Sequence, residues 1–172
     1  LIDRGVPIGG TSAGLAVLGE HIFGAEYDTV QSKAALADPF DAKVSIVNGF
    51  LKVPNLGCLI TDSHFRQRDR MGRLLVFLGR MRLESGCKQT RGIGIDERTA
   101  VLLERDGKAT VVGEGSARFV ELKQKPTALA AKPTASLPPV TVHRVDRNGQ
   151  FDLKRWRGNN AHRYQLRVNS GE

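Results

Sequence analysis

The segment Gly10-Thr11-Ser12-Ala13-Gly14 narrows the possible folds more than any other stretch of this chain. Before it, Val6-Pro7-Ile8-Gly9-Gly10 is a short apolar run of strand length. After it, Leu15-Ala16-Val17-Leu18 reads as helix. The unit is therefore strand, tight turn, helix. A serine between a strand end and a helix start sits on a constrained turn, and flanking glycines let the backbone pass closely. Its hydroxyl then projects above the sheet edge, with the free N–H groups of the helix start behind it. Ala13 N–H is the first candidate donor to an oxyanion. The same pattern also fits a glycine-rich turn that holds phosphate or only reverses the chain. A base must be found before Ser12 reads as a nucleophile.

Four histidines are available. His143 and His162 fall in or after a linker-like region, where solvated or structural roles are expected. His21 lies one helix beyond Ser12 and is expected to point away from it. His64 follows the apolar run Gly57-Cys58-Leu59-Ile60 and opens a basic segment. Strand C-terminal ends in an α/β sheet face the binding crevice, so His64 and Ser12 are expected at one edge. A third group must orient the imidazole and stabilise its cation. Asp96 and Glu97 end the run Gly92-Ile93-Gly94-Ile95, and Asp62 is their rival.

The formal net charge is +8, which raises acidic substrates, nucleic acid and membrane surfaces as partners. The charge is concentrated. Between Arg66 and Arg91 there are eight basic residues and two acidic ones. Apart from Phe65 and Phe77 that window lacks interleaved aromatics, which argues against base stacking and against nucleic acid. The longest apolar candidate, Leu74 to Leu78, is far too short to span a bilayer. Cys58 and Cys87 are too few for a disulfide framework and read as plain structural residues. No cofactor and no metal is assigned.

Further along, strands are expected at Val44–Val47, Gly57–Ile60, Gly92–Ile95, Thr99–Leu103, Ala109–Val112, Arg118–Leu122 and Val140–Val145. An amphipathic helix is expected from about Gln67 to Leu83, through Met71, Leu74, Leu75, Leu78 and Met81. Asp106-Gly107 reads as a hairpin turn. Residues 123–139 hold four of the seven prolines and read as a linker or loop. The expected division is a catalytic domain over 1–122, that linker, and a C-terminal extension over 140–172. The chain opens on Leu1, and Leu1 to Gly5 reads as a helix end, so upstream residues are expected. A cytoplasmic location is favoured, with secretion open should a signal segment precede Leu1. A homo-oligomer, a dimer first, stays open. The fold class is α/β, a sheet with antiparallel additions.

Taken together, the pieces resemble the cyanophycinase family of serine peptidases. The resemblance rests on Gly10 to Gly14, on Asp62-Ser63-His64-Phe65 with Arg68, Arg70 and Arg73, and on Gly92 to Glu97, in that order. It covers about Gly5 to Leu103. It implies a fold like the class I glutamine amidotransferases, a mostly parallel sheet flanked by helices, with the N-terminal strands missing here. It implies Ser12 as nucleophile, His64 as base and Glu97 as third member. It implies that Asp62, Ser63, Arg68, Arg70 and Arg73 line the substrate site. The family's substrate is a poly-aspartate carrying arginine on each side-chain carboxyl, and its enzymes cut the β-aspartyl links. Guanidinium groups suit such an acidic, arginine-containing peptide because they bind carboxylates bidentately. Ser63 stands where the family commonly has Gln, and the interval from Ser12 to His64 is longer than usual, placing an extra loop near Ala25 to Asp41. The expected function is a serine-type exopeptidase on that polymer. The alternatives are an aspartyl or isoaspartyl dipeptidase of the same family, or a truncated inactive relative that binds an acidic partner.

Overall fold

The structure, a computed structural model, describes residues 2–127, 129 and 134–172. The expected helix end at the N-terminus is a single 3-10 turn, Ile2–Arg4, closed by Gly5 at φ 76°; Leu1 lies outside the described residues. So do 128 and 130–133 of the proline-rich segment.

The chain then runs α1 (Ala13–Ala16), β1 (His21–Phe23), α2 (Ser32–Ala37), β2 (Ile46–Asn48), β3 (Leu59–Asp62), α3 (Met71–Glu84) and β4 (Thr90–Ile95). Among the described residues the second half holds strands alone: β5 (Thr99–Leu103), β6 (Lys108–Gly113), β7 (Ser116–Leu122), β8 (Leu137–Asp146), β9 (Gln150–Asp152), β10 (Arg157–Asn159) and β11 (His162–Val168). Seven strands form one sheet in the order β11-β8-β7-β4-β3-β1-β2, and four form another in the order β10-β9-β6-β5. β1, β3 and β4 are parallel neighbours at the heart of the larger sheet. β2 on one side and β7, β8 and β11 on the other are antiparallel additions. The architecture is thus α/β, a mixed sheet with parallel core strands flanked by helices.

Side-chain alternation along the strands explains the layers. On β7, Val120 and Leu122 join the cluster under α3, built with Leu74, Leu75, Phe77, Leu78 and Met81. Ala117 and Phe119 face the other way, into a cluster with Val111 and Phe151 of the small sheet. Phe119 stacks on Phe151 at 3.9 Å, and Trp156 meets both edge-on. One face of the large sheet is covered by helix and the other by sheet. β8 and β11 extend the sheet that holds β3 and β4, and Val140 and Val142 are fully buried beside α3. His143 is buried on the opposite face against Phe151, and burial pushes its imidazole below the ordinary 6.5.

Three expectations need correction. Val6 to Gly10 is not a strand; Pro7 offers no N–H, no described strand pairs with the segment, and Val6 and Ile8 are exposed. α3 begins at Met71 rather than Gln67, because Phe65 to Arg70 form a compact turn closed by Arg70 N–H to Phe65 O. Cys58 and Cys87 are joined by a disulfide. The parallel β3-α3-β4 crossover must carry the chain back to the edge from which β3 starts. That return brings Cys87, just beyond α3, against Cys58, just before β3.

Candidate active site

Ser12 stands between the extended segment and the first turn of α1 with φ 51° and ψ −117°. A non-glycine residue in this region costs on the order of 1–3 kcal/mol and recurs at functional positions. Gly10 makes the turn feasible. A Cβ there would lie 2.0 Å from Gly14 O. Ser12 Oγ projects to solvent, 3.2 Å from His64 Nε2. His64 Nδ1 is 2.8 Å from Glu97 Oε1. His64 is itself at φ 47°. Ala13 N–H has no hydrogen-bond acceptor among the described residues.

Four ties bring these groups together. Thr61 Oγ1 donates to Leu15 O at 2.7 Å, fixing the end of β3 to the helix behind Ser12. Phe65 N–H donates to Ile95 O at 3.1 Å, holding the turn after His64 to the end of β4. Arg66 N–H donates to Asp96 Oδ1, and Glu97 N–H donates to Gln67 Oε1. Motif reading did not single out Thr61 or Gln67. Thr61 directly precedes the Asp62-Ser63-His64 run, but nothing in the sequence marks it as a tether.

The carboxylates are sorted by their partners. Asp96 is buried, and its oxygens accept from Arg66 N–H, Ser116 N–H, Ser116 Oγ and the Arg118 guanidinium. It has no capacity left for His64. Asp62 is buried beneath the site and accepts two bonds from Arg73, at 2.8 and 2.6 Å, and one from Arg70 at 3.0 Å. Of the three candidates only Glu97 reaches the imidazole.

The arginines divide in the same way. Arg73 is 3% exposed, and its remaining N–H groups donate to Thr29 Oγ1 and Val30 O. The residues expected at the substrate thus differ in placement. Asp62 and Arg73 face each other and anchor the loop before α2, because a buried guanidinium and carboxylate must satisfy one another. Arg68 is exposed beside His64. Arg70 is partly buried and donates to Asp62 and to Ser63 O. Burial lowers its guanidinium from the ordinary value, Asp62 opposes that, and Arg73 and Arg68 add to it. Elsewhere in the basic window Arg80 pairs with Glu84 and Arg91 with Glu121. Arg66, Arg68, Arg82 and Lys88 have no salt bridge among the described residues. Four of the eight basic residues of the stretch are thus paired with acidic side chains inside the protein, Arg70 and Arg73 sharing one carboxylate.

The glycines of β4 are explained by what lies over them. A Cβ on Gly94 would fall 2.4 Å from the Phe65 ring, which is fully buried and cannot swing away. Gly94→Ala is expected to cost about 1–3 kcal/mol through overpacking and to lower turnover by displacing the turn that carries His64. Gly92→Ala meets only the end of the Leu74 side chain, at 2.8 Å, and is expected to cost less. Thermal melts of the two variants check the order.

No family model matches the chain. Among curated proteins it is 34% identical over 141 residues to a cyanophycinase of Trichormus variabilis, covering 80% of this chain and 41% of that protein. The cyanophycinase of Geminocystis herdmanii is 34% identical over 116 residues, 67% of this chain and 37% of that protein. That of Synechococcus elongatus is 33% identical over 114 residues, 66% of this chain and 30% of that protein. The chain spans about two fifths or less of the length of these relatives.

Proposed function

This chain is related by family to the cyanophycinases, and on that premise we propose that it carries the catalytic part of a serine-type exopeptidase acting on β-aspartyl links in an acidic, arginine-containing peptide. The single observation behind the reading is the relay from Ser12 through His64 to Glu97, at 3.2 and 2.8 Å.

In the proposed reaction, Ser12 Oγ attacks the scissile carbonyl carbon while His64 Nε2 takes its proton. Glu97 accepts from Nδ1–H, fixes the tautomer and stabilises the imidazolium. The oxyanion forms against Ala13 N–H. Collapse breaks the C–N bond, and His64 returns its proton to the leaving amine. Water, deprotonated by His64, then attacks the ester on Ser12; the acyl carbon–Oγ bond breaks, His64 returns the proton to Ser12 Oγ, and the acid leaves. Arg68 and the outer edge of Arg70 are proposed to meet substrate carboxylates, with Ser63 beside them, over the frame built by Asp62 and Arg73. Incubation with cyanophycin should release β-Asp-Arg dipeptide with wild type and none with Ser12→Ala. Equal release by both would end the proposal.

Ser63 favours a second reading within the same chemistry, a dipeptidase for aspartyl or isoaspartyl substrates. Its side chain is short, and its backbone is held on both sides by Asp62 and Arg70. Activity on the polymer alone would reject this reading; activity on acidic dipeptides alone would reject the first.

A further inference from the structure

The second concentration of reactive side chains lies at the opposite end of β3 from His64, about 20 Å along the strand and its flanks. Cys58 and Cys87 meet there, Glu20 directly precedes β1, and His21 opens it. One carboxylate oxygen of Glu20 and both Sγ atoms lie within 4.8 Å of one another. His21 Nε2 is 3.8 Å from Cys87 Sγ. Glu20 accepts the Cys58 N–H, which holds its carboxylate over the sulfur pair. The four groups border a surface pocket of about 360 Å³, together with Asn48 and Ser85; Glu20 is exposed at its mouth, and His21 and Cys87 are buried at its floor.

We propose that this cluster is a reduction-gated zinc site. The disulfide blocks it, since a ligating cysteine must be a thiolate. A dithiol reductant opens it: the S–S bond takes two electrons and two protons and becomes two thiols, while the reductant becomes a disulfide. Zn²⁺ then displaces the two thiol protons to solvent and forms two Zn–S bonds. His21 Nε2 supplies the third ligand and the Glu20 carboxylate the fourth. Two sulfurs, one imidazole and one carboxylate are the borderline-soft set that favours Zn²⁺ over Mg²⁺ or Ca²⁺. Zinc–ligand bonds of roughly 2.0–2.3 Å put tetrahedral donors about 3.3–3.8 Å apart; the bonded sulfurs part to that distance on reduction, the Glu20 oxygen draws in by about an ångström, and His21 Nε2 already stands 3.8 Å from Cys87 Sγ. The placement adds a reason for the site: metal would restore the link between the starts of β1 and β3 and the end of α3 that reduction removes.

The test uses the whole chain, reduced with a non-chelating phosphine and freed of metal, titrated with Co²⁺ and then competed with Zn²⁺. One Co²⁺ per chain with a thiolate-to-cobalt charge-transfer band is expected from reduced wild type, and none from the oxidised protein. Cys58→Ser/Cys87→Ser should lose the band. Glu20→Gln, which keeps an amide oxygen to accept the Cys58 N–H, should weaken binding at least about tenfold, and His21→Gln likewise. Stoichiometric binding by the oxidised protein, absence of the band in the reduced one, or affinity unchanged in Glu20→Gln would overturn the proposal. None of these readouts depends on peptide hydrolysis.

Discussion

Replacing Asp62 by alanine is expected to destabilise the protein by about 3–5 kcal/mol, a fall in Tm on the order of 10 °C for a chain of this size. The reason is the charge left behind. Arg73 is buried and gives Asp62 two of its hydrogen bonds, and Arg70 adds a third. Without the carboxylate, one guanidinium stays in the core with only Thr29 Oγ1 and Val30 O as acceptors. Asp62→Asn keeps an acceptor and loses the charge, so a smaller loss is expected. Removing both sides together, as Asp62→Leu/Arg73→Met, should recover much of the stability, because an apolar pair of similar size can replace a buried ion pair at little net cost. Thermal and urea denaturation of the three variants beside wild type measure this. If Asp62→Ala melts with wild type, the pair does not hold the frame, and the carboxylate would be free to serve substrate directly.

The second large effect concerns turnover. Ser12→Ala and His64→Ala are each expected to lower kcat by about 10^6-fold, and Glu97→Gln by about 10^4-fold, by analogy with other serine hydrolases in which the relay acts as a unit. For the same reason the double variant Ser12→Ala/His64→Ala should be hardly worse than either single one. All three side chains are at least partly exposed, so melting temperatures should stay near wild type. Steady-state kinetics beside thermal melts separate this outcome from misfolding. Additive losses in the double variant would show that Ser12 and His64 do not act as a unit, and a Glu97→Gln enzyme at full rate would remove Glu97 from the relay.

The features that could be read from sequence were local ones. Ser12 could be placed because glycines crowd both sides of a turn whose geometry they permit. His64 could be placed because it follows a short apolar run, and parallel strands bring such ends to one edge; the residues alone left Glu97 level with Asp96 and Asp62, and the family resemblance singled it out. β5 and β6 were visible from alternation around Asp106-Gly107, and Gly107 indeed takes φ 94°. What escaped depends on the chain meeting itself at a distance. Val6 to Gly10 has strand composition, yet a strand needs a neighbour to take its hydrogen bonds, and none of the described strands provides one. The Cys58–Cys87 bond spans 29 residues and follows only from where the parallel crossover returns the chain. Asp62 and Arg73 belong to the motif that suggested a substrate site, but local spacing cannot tell a carboxylate facing a ligand from one facing its own helix. β9 and β10 are three residues each, too short for any alternation to register.

The claim on which the rest depends is that His64 activates Ser12 as a nucleophile. Phosphonylation tests it without reference to any particular peptide. The protein is treated with an organofluorophosphonate, digested, and the peptide containing Ser12 is weighed by mass spectrometry over time. A single adduct on Ser12 in wild type is predicted, with labelling far slower in His64→Gln and absent in Ser12→Ala. An unlabelled Ser12 in wild type, or equal labelling rates in wild type and His64→Gln, would contradict the account.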